Sequence, residues 1–304
     1  MALMLTSKQK EIMLPVATNR GSIIAVLSKL RDNKKRIESD EKAYFNKEKD
    51  ERDRNAFYEG IDFELGDAEV VQAISDLLRE GHINQVRYDP SEYVYPWVDL
   101  RPDGNLTSIY NGKNRDPEEV IGADYIISLE REREMDRIPD NDLERIAQIS
   151  ADYKYNCEHV VPQSWFNEEE PMRGDIHHLF TCDPYCNSFR SNYPYHDFSE
   201  YTPELGMSRI DEGCGKAAEE LFEPEYGKGT VARAMLYFLL RYSERIETRY
   251  LKQVDTDLLL EWHARFPLDV YEKHTVNPFR LSADAGCDEK SQGVSLLILV
   301  FFQI

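Results

Sequence analysis

Residues 155–195 read YNCEHVVPQSWFNEEEPMRGDIHHLFTCDPYCNSFRSNYPY, and the order of local signals in this stretch decides the fold. Cys157-Glu158-His159-Val160-Val161-Pro162 is extended, because adjacent valines favour a pleated strand and Pro162 confines Val161 to the β region. Ile176-His177-His178-Leu179-Phe180 is a second short strand. Asp183-Pro184 opens a helix: an aspartate cap accepts orphan backbone N–H groups, and a proline at the first helical position forfeits no hydrogen bond. Asn187 falls one turn into that helix, followed by Arg190 and Asn192. The pattern is strand, loop, strand, helix.

These residue types suit one chemistry. A carboxylate and an amide oxygen, from Glu158 and Asn187, hold one hard cation with water completing its shell, as Mg²⁺ prefers. His159 stays off the metal and takes a proton from water, its ordinary pKa suiting transfer near neutrality. Adjacent strand residues point to opposite sides, so a twist, a bulge or the end of the strand must bring both groups to one cleft. Taken singly, Glu158-His159 is an ordinary buried or surface pair, and no HExxH helix supports a zinc peptidase.

Three segments in order carry a resemblance. Glu158-His159-Val160-Val161-Pro162, Asp175-Ile176-His177-His178-Leu179 and Asn187-Ser188-Phe189-Arg190-Ser191-Asn192 resemble the bacterial endonuclease I family of the His-Me finger (ββα-metal) nucleases, over residues 93–279. The resemblance implies a metal-dependent endonuclease of little sequence preference that hydrolyses phosphodiester bonds in DNA, and for some members RNA, leaving 5′-phosphates. It implies His159 as general base, Glu158 and Asn187 as ligands of Mg²⁺ or another divalent ion such as Mn²⁺ or Ca²⁺, and Arg173 or Arg190 as the arginine that holds the phosphate. A secreted or periplasmic role is likewise implied by resemblance alone. The fold class is α+β, a ββα-metal core embedded in a largely helical single domain.

Working outward, Asp67–Glu80 repeats Val70, Val71, Ile74, Leu77 and Leu78 at helical spacing, with Asp67 as cap and Gly81 as stop. Thr230–Tyr250 and Asp255–Arg265 are two helices rich in Leu, Met and aromatics, and residues 140–150 are a third. In residues 93–110 aromatic and β-branched residues flank Pro102-Asp103-Gly104-Asn105, which predicts a hairpin. Lys29–Arg54 holds ten basic and eight acidic residues, an exposed helical face of nearly balanced charge. Residues 1–66 form a loose, partly helical N-terminal extension, 67–279 the catalytic domain, and 280–304 a divergent tail whose apolar end suits a buried strand.

Four of the five cysteines lie between 157 and 214, which leaves disulfides, free thiols and a structural Zn²⁺ at Cys182 and Cys186 open. The shortened C-terminal match, Tyr271–Phe279, sustains a second reading, a non-catalytic, zinc-stabilised ββα binding or scaffold protein. No run of about eighteen apolar residues exists, so no membrane partner is expected, and the N-terminus lacks the basic and apolar blocks of a signal peptide. With 37 Lys and Arg against 57 Asp and Glu, the net charge of −20 excludes binding nucleic acid by a broad basic surface. Residues 151–200 are no exception, with three basic against nine acidic residues. Phosphate contact must therefore rest on a bound cation and a few placed side chains.

Overall fold

Among the described residues, helices whose apolar spacing is regular bury the stripe which that spacing prescribes. The computed structural model describes residues 20–275, apart from 82–83, several positions between 139 and 151, and 202–212. Helix α1 (Arg20–Ser39) turns Ile23, Leu30 and Ile37 inward, and its buried Asn33 donates to the Pro96 carbonyl at 2.9 Å. A turn at Glu41–Tyr44 and helix α2 (Lys47–Tyr58) follow, each capped by the side chain before it, Asp40 and Asn46. The N-terminal helices are thus packed rather than loose, and Tyr44 and Tyr58 are buried with them.

Helix α3 (Asp67–Gly81) buries Val70, Ile74 and Leu78 as its periodicity requires. The Gly66 carbonyl receives the first two helical N–H groups, so the cap lies one residue before the expected Asp67. The hairpin is also displaced. Arg101–Asn105 does turn tightly, with Gly104 at φ 77°, but Val94–Val98 before it is a helical turn. The paired strands are β1 (Leu106–Thr107) and β2 (Asn114–Arg115), which close around Asn111-Gly112. Glycine supplies the positive φ that such a turn demands.

Helix α4 (Pro117–Met135) has no counterpart in the periodicity of the sequence. Asp116 caps it through the Glu118 and Glu119 N–H groups, but its buried stripe runs Val120, Asp124, Ser128, Arg131 and Met135. Polar residues at three of those five positions hide the apolar repeat. Asp124 earns its place inside: its carboxylate accepts from Tyr95 Oη, Asn156 N and Asn156 Nδ2 at 2.8, 3.0 and 2.6 Å. Of the helix expected at 140–150 only a few positions are described, with Arg145, Gln148 and Ile149 helical, and the tail strand lies outside the described residues.

Strands β3 (Cys157–His159) and β4 (Leu179–Thr181) are antiparallel, pairing Cys157 with Thr181, Glu158 with Phe180 and His159 with Leu179. The second strand is shorter than expected, because Ile176–His178 forms a 3₁₀ turn capped by Asp175. Helix α5 (Pro184–Arg190) begins as read, with Asp183 accepting from the Tyr185 N–H and Pro184 at its first position. A hairpin β5 (Gly215–Ala218) and β6 (Leu221–Pro224) leads to helix α6 (Lys228–Tyr242), buried on nearly all sides, and to α7 (Thr256–Arg265), capped by Asp255.

The two faces of the β3–β4 sheet meet different cores. Cys157, Ile176 and Leu179 pack with α1, α4 and residues 88–100. Val160, Val161, Phe180 and Cys182 pack with α3, α6 and α7. Mixed helices and small antiparallel sheets make the chain an α+β protein.

Cys186 of α5 forms a disulfide with Cys214, while Cys157 and Cys182 are buried thiols. The expected zinc site at Cys182 and Cys186 is overturned, because the Cys186 sulfur is already spent in a covalent bond. Burial further pushes the Cys182 thiol well above its usual range, away from the thiolate that zinc needs. Closing this 28-residue separation is worth about 3.5 kcal/mol in chain entropy, so Cys214→Ser should lower the unfolding free energy by that order in urea titration. Asp124→Ala leaves three donors facing a dry void, and calorimetry should show a loss of about 3–5 kcal/mol.

Candidate active site

Glu158 and His159 leave β3 toward opposite faces, as strand geometry requires. Glu158 points to the side of its partner Phe180, where Tyr110 Oη donates to Oε1 at 2.6 Å and Arg190 Nε stands 3.5 Å away. Tyr110 and Tyr195 share a hydrogen bond of 2.9 Å beside it. The carboxylate is 3 % exposed. Burial pushes it up to about 7, against the opposing pull of Arg190 and the Tyr110 hydroxyl. It is an anion short of positive charge.

Arg190 is sunk in the interior. Its Nη2 donates to the Val160 carbonyl at 2.8 Å and its Nη1 to Ser191 O at 3.1 Å, with the guanidinium over the Tyr195 ring. Asn187, on the same short helix, donates Nδ2 to the Cys157 carbonyl at 2.9 Å. That bond fixes the amide, so Oδ1 is the end left to serve as an oxygen ligand. Glu158, Arg190 and Asn187 are thus gathered where α5 crosses β3. Among the described residues no three or more His, Cys, Asp or Glu side chains converge as a metal cage. A carboxylate plus an amide oxygen still fits a hard cation that keeps most of its water, and the undercompensated charge of Glu158 fits it too.

His159 faces the other way. Its Nε2 lies 2.9 Å from the Arg173 carbonyl, and its ring is 4.6 Å from that of Tyr88 and 5.3 Å from that of His178. A carbonyl only accepts, so Nε2 carries the proton and Nδ1 the lone pair. Burial, with His178 adding to it, holds the imidazole well below its usual range, and the ring is neutral. His159 is the last residue of its strand and Glu158 the middle one, so the two groups leave it on opposite faces.

Arg173 supplies more than that carbonyl. Its Nε donates to Gln163 at 2.9 Å, and its guanidinium lies over the Tyr88 ring. With Arg87, Tyr88, Arg249 and Tyr250 it lines a cleft of about 760 Å³. The acidic run Glu168–Glu170 borders the same cleft, but Glu170 is structural: it accepts from the Tyr88 and Gly174 N–H groups at 3.4 and 2.8 Å. Gly174 has no room for a side chain, since a Cβ there would meet the Val86 carbonyl at 2.1 Å. Of the two histidines in the 175–179 segment, His178 is fully buried on the Met172 carbonyl and His177 is bonded to Asp175.

Tyr110 and Tyr195 were not legible as site residues. They lie 48 residues before and 37 after Glu158, and no spacing rule connects a lone tyrosine to a carboxylate that far away.

No curated protein matches the chain closely enough to count. The sequence profile of the family described as Endonuclease I does match, over residues 98–279, well over half of the chain and the whole of the site. That match shows that the chain belongs to the endonuclease I family, and its activity is that of a nuclease.

Proposed function

We propose that the chain is a divalent-metal-dependent endonuclease of low sequence preference, hydrolysing phosphodiester bonds in DNA and RNA from a His-Me finger site. The observation that carries this reading is the bond between His159 Nε2 and the Arg173 carbonyl, which sets the tautomer of a neutral imidazole and leaves the lone pair on Nδ1 to accept a proton. Glu158 and Asn187 are the residues that would hold the cation. When bound, that ion neutralises charge on the phosphate and on the departing oxygen.

The chain's own groups do the rest. His159 Nδ1 takes a proton from the attacking water, and the imidazolium so formed keeps its Nε2–H on the Arg173 carbonyl. The water oxygen bonds to phosphorus as the P–O3′ bond breaks, and O3′ takes a proton from solvent, leaving a 5′-phosphate and a 3′-hydroxyl. Arg173, at the edge of the open cleft, is the phosphate-holding arginine; Arg190, buried on backbone carbonyls, positions Glu158. The Cys186–Cys214 disulfide one residue from Asn187 fits an oxidising compartment. The scaffold reading loses its zinc to the Cys186–Cys214 disulfide.

Plasmid DNA and RNA incubated with the protein and Mg²⁺ should be cut, and chelator should stop the cutting. His159→Ala should keep its circular dichroism spectrum and lose about 10²- to 10⁴-fold in rate; wild-type cleavage by that variant would sink the assignment. Asn187→Ala should move the Mg²⁺ titration midpoint upward by roughly tenfold or more, and an unmoved midpoint would remove Asn187 from the metal site.

A further inference from the structure

The Asp175-Ile176-His177-His178-Leu179 segment supplies no group to the chemistry just described, yet its aspartate is among the most densely bonded side chains near the site. The Asp175 carboxylate is sealed from solvent. It accepts from His177 N at 3.1 Å and His177 Nδ1 at 2.7 Å on its own turn. It accepts from Tyr237 Oη at 2.7 Å and Tyr242 Oη at 2.9 Å on α6, with Arg241 Nε at 3.8 Å. A buried carboxylate costs stability unless its lone pairs are filled, and here donors from a distant helix fill them.

What these donors hold in place is a loop with little regular structure of its own. Ile176–His178 is a single 3₁₀ turn, and the residues before it are irregular. Two carbonyls of this loop receive histidine rings: Met172 O takes His178 Nε2 at 2.7 Å, and Arg173 O takes His159 Nε2 at 2.9 Å. The Asp175 N–H reaches back to Met172 O at 3.3 Å, so the aspartate closes the same small ring of backbone that presents the Arg173 carbonyl. A displacement of about 1 Å would stretch the His159 bond beyond useful length. Helix α6 is buried on nearly all sides and is the rigid body to which this loop is tied.

We infer that Asp175, Tyr237 and Tyr242 are positioning residues that act on His159 through the Arg173 carbonyl, tying the orientation of the general base to helix α6. The inference rests on the nuclease reading for its kinetic arm, but not for its spectroscopic one. Their effect on His159 travels through the loop backbone that presents the Arg173 carbonyl.

The test is a double variant, Tyr237→Phe with Tyr242→Phe, which removes both hydroxyls and keeps both rings, with Asp175→Asn as a harsher companion. Plasmid cleavage in Mg²⁺ should lose about 10- to 100-fold in kcat with KM essentially unchanged. In a His159→Ala background the same two changes should cost nothing further, because the group they orient is gone. Independently of activity, the His159 Nε2–H proton resonance, assigned by its disappearance in His159→Ala, should exchange faster with solvent in the double variant. An equal rate loss in both backgrounds would mean general damage to the fold and would overturn the inference, as would an unchanged Nε2–H exchange rate. A wild-type protein without nuclease activity would instead strike the functional reading and leave the proton exchange measurement to decide the positioning.

Discussion

A two-stranded sheet of three residues per strand does not hold together in water on its own, and everything at this site depends on how β3 and β4 are covered. Both faces are buried, each by a different hydrophobic core. Strand alternation then sends Glu158 into one core and His159 toward the other. The site is therefore two half-sites back to back on adjacent residues, one anionic and one neutral, each stripped of water by the packing that keeps the sheet in place.

That dryness sets the charge states. Glu158 and His159 are both pushed toward their neutral forms by burial, the carboxylate upward to about 7 and the imidazole downward. For the histidine this is the form that accepts a proton. For the glutamate it is a deficit that a cation would make good. Under the proposed function, a bound ion and placed arginines would stand in for the broad basic surface that a net charge of −20 lacks.

Much of the fold was legible locally. The Asp183-Pro184 cap, the apolar stripe of α3 and the start of α7 all depend on a turn or two of chain, and each lies within a residue of its expected place. Helix α4 was missed because Asp124, Ser128 and Arg131 occupy its buried stripe, and they are tolerated there because the tertiary structure brings partners: Tyr95 and Asn156 to Asp124, and Tyr155 to Ser128 and Arg131. The hairpin was placed one turn too early, since Pro102–Asn105 and Asn111-Gly112 are both good turns and only pairing chooses between them. Cysteine spacing made Cys182 and Cys186 look like a ligand pair, whereas the chain path brings Cys214 to Cys186 instead.

By itself, then, the sequence determined the residue types of the site, their order and the strand–loop–strand–helix path that carries them, because caps, β-branching and the limits of proline are short-range effects. Tertiary structure alone decided which tyrosines hold Glu158, which carbonyl receives His159, which arginine is buried and which borders the cleft, and how Asp175 is tied to α6. Those choices depend on contacts between residues 14 to 67 positions apart, and hydrogen bonds and burial across such separations leave no periodic trace in the chain.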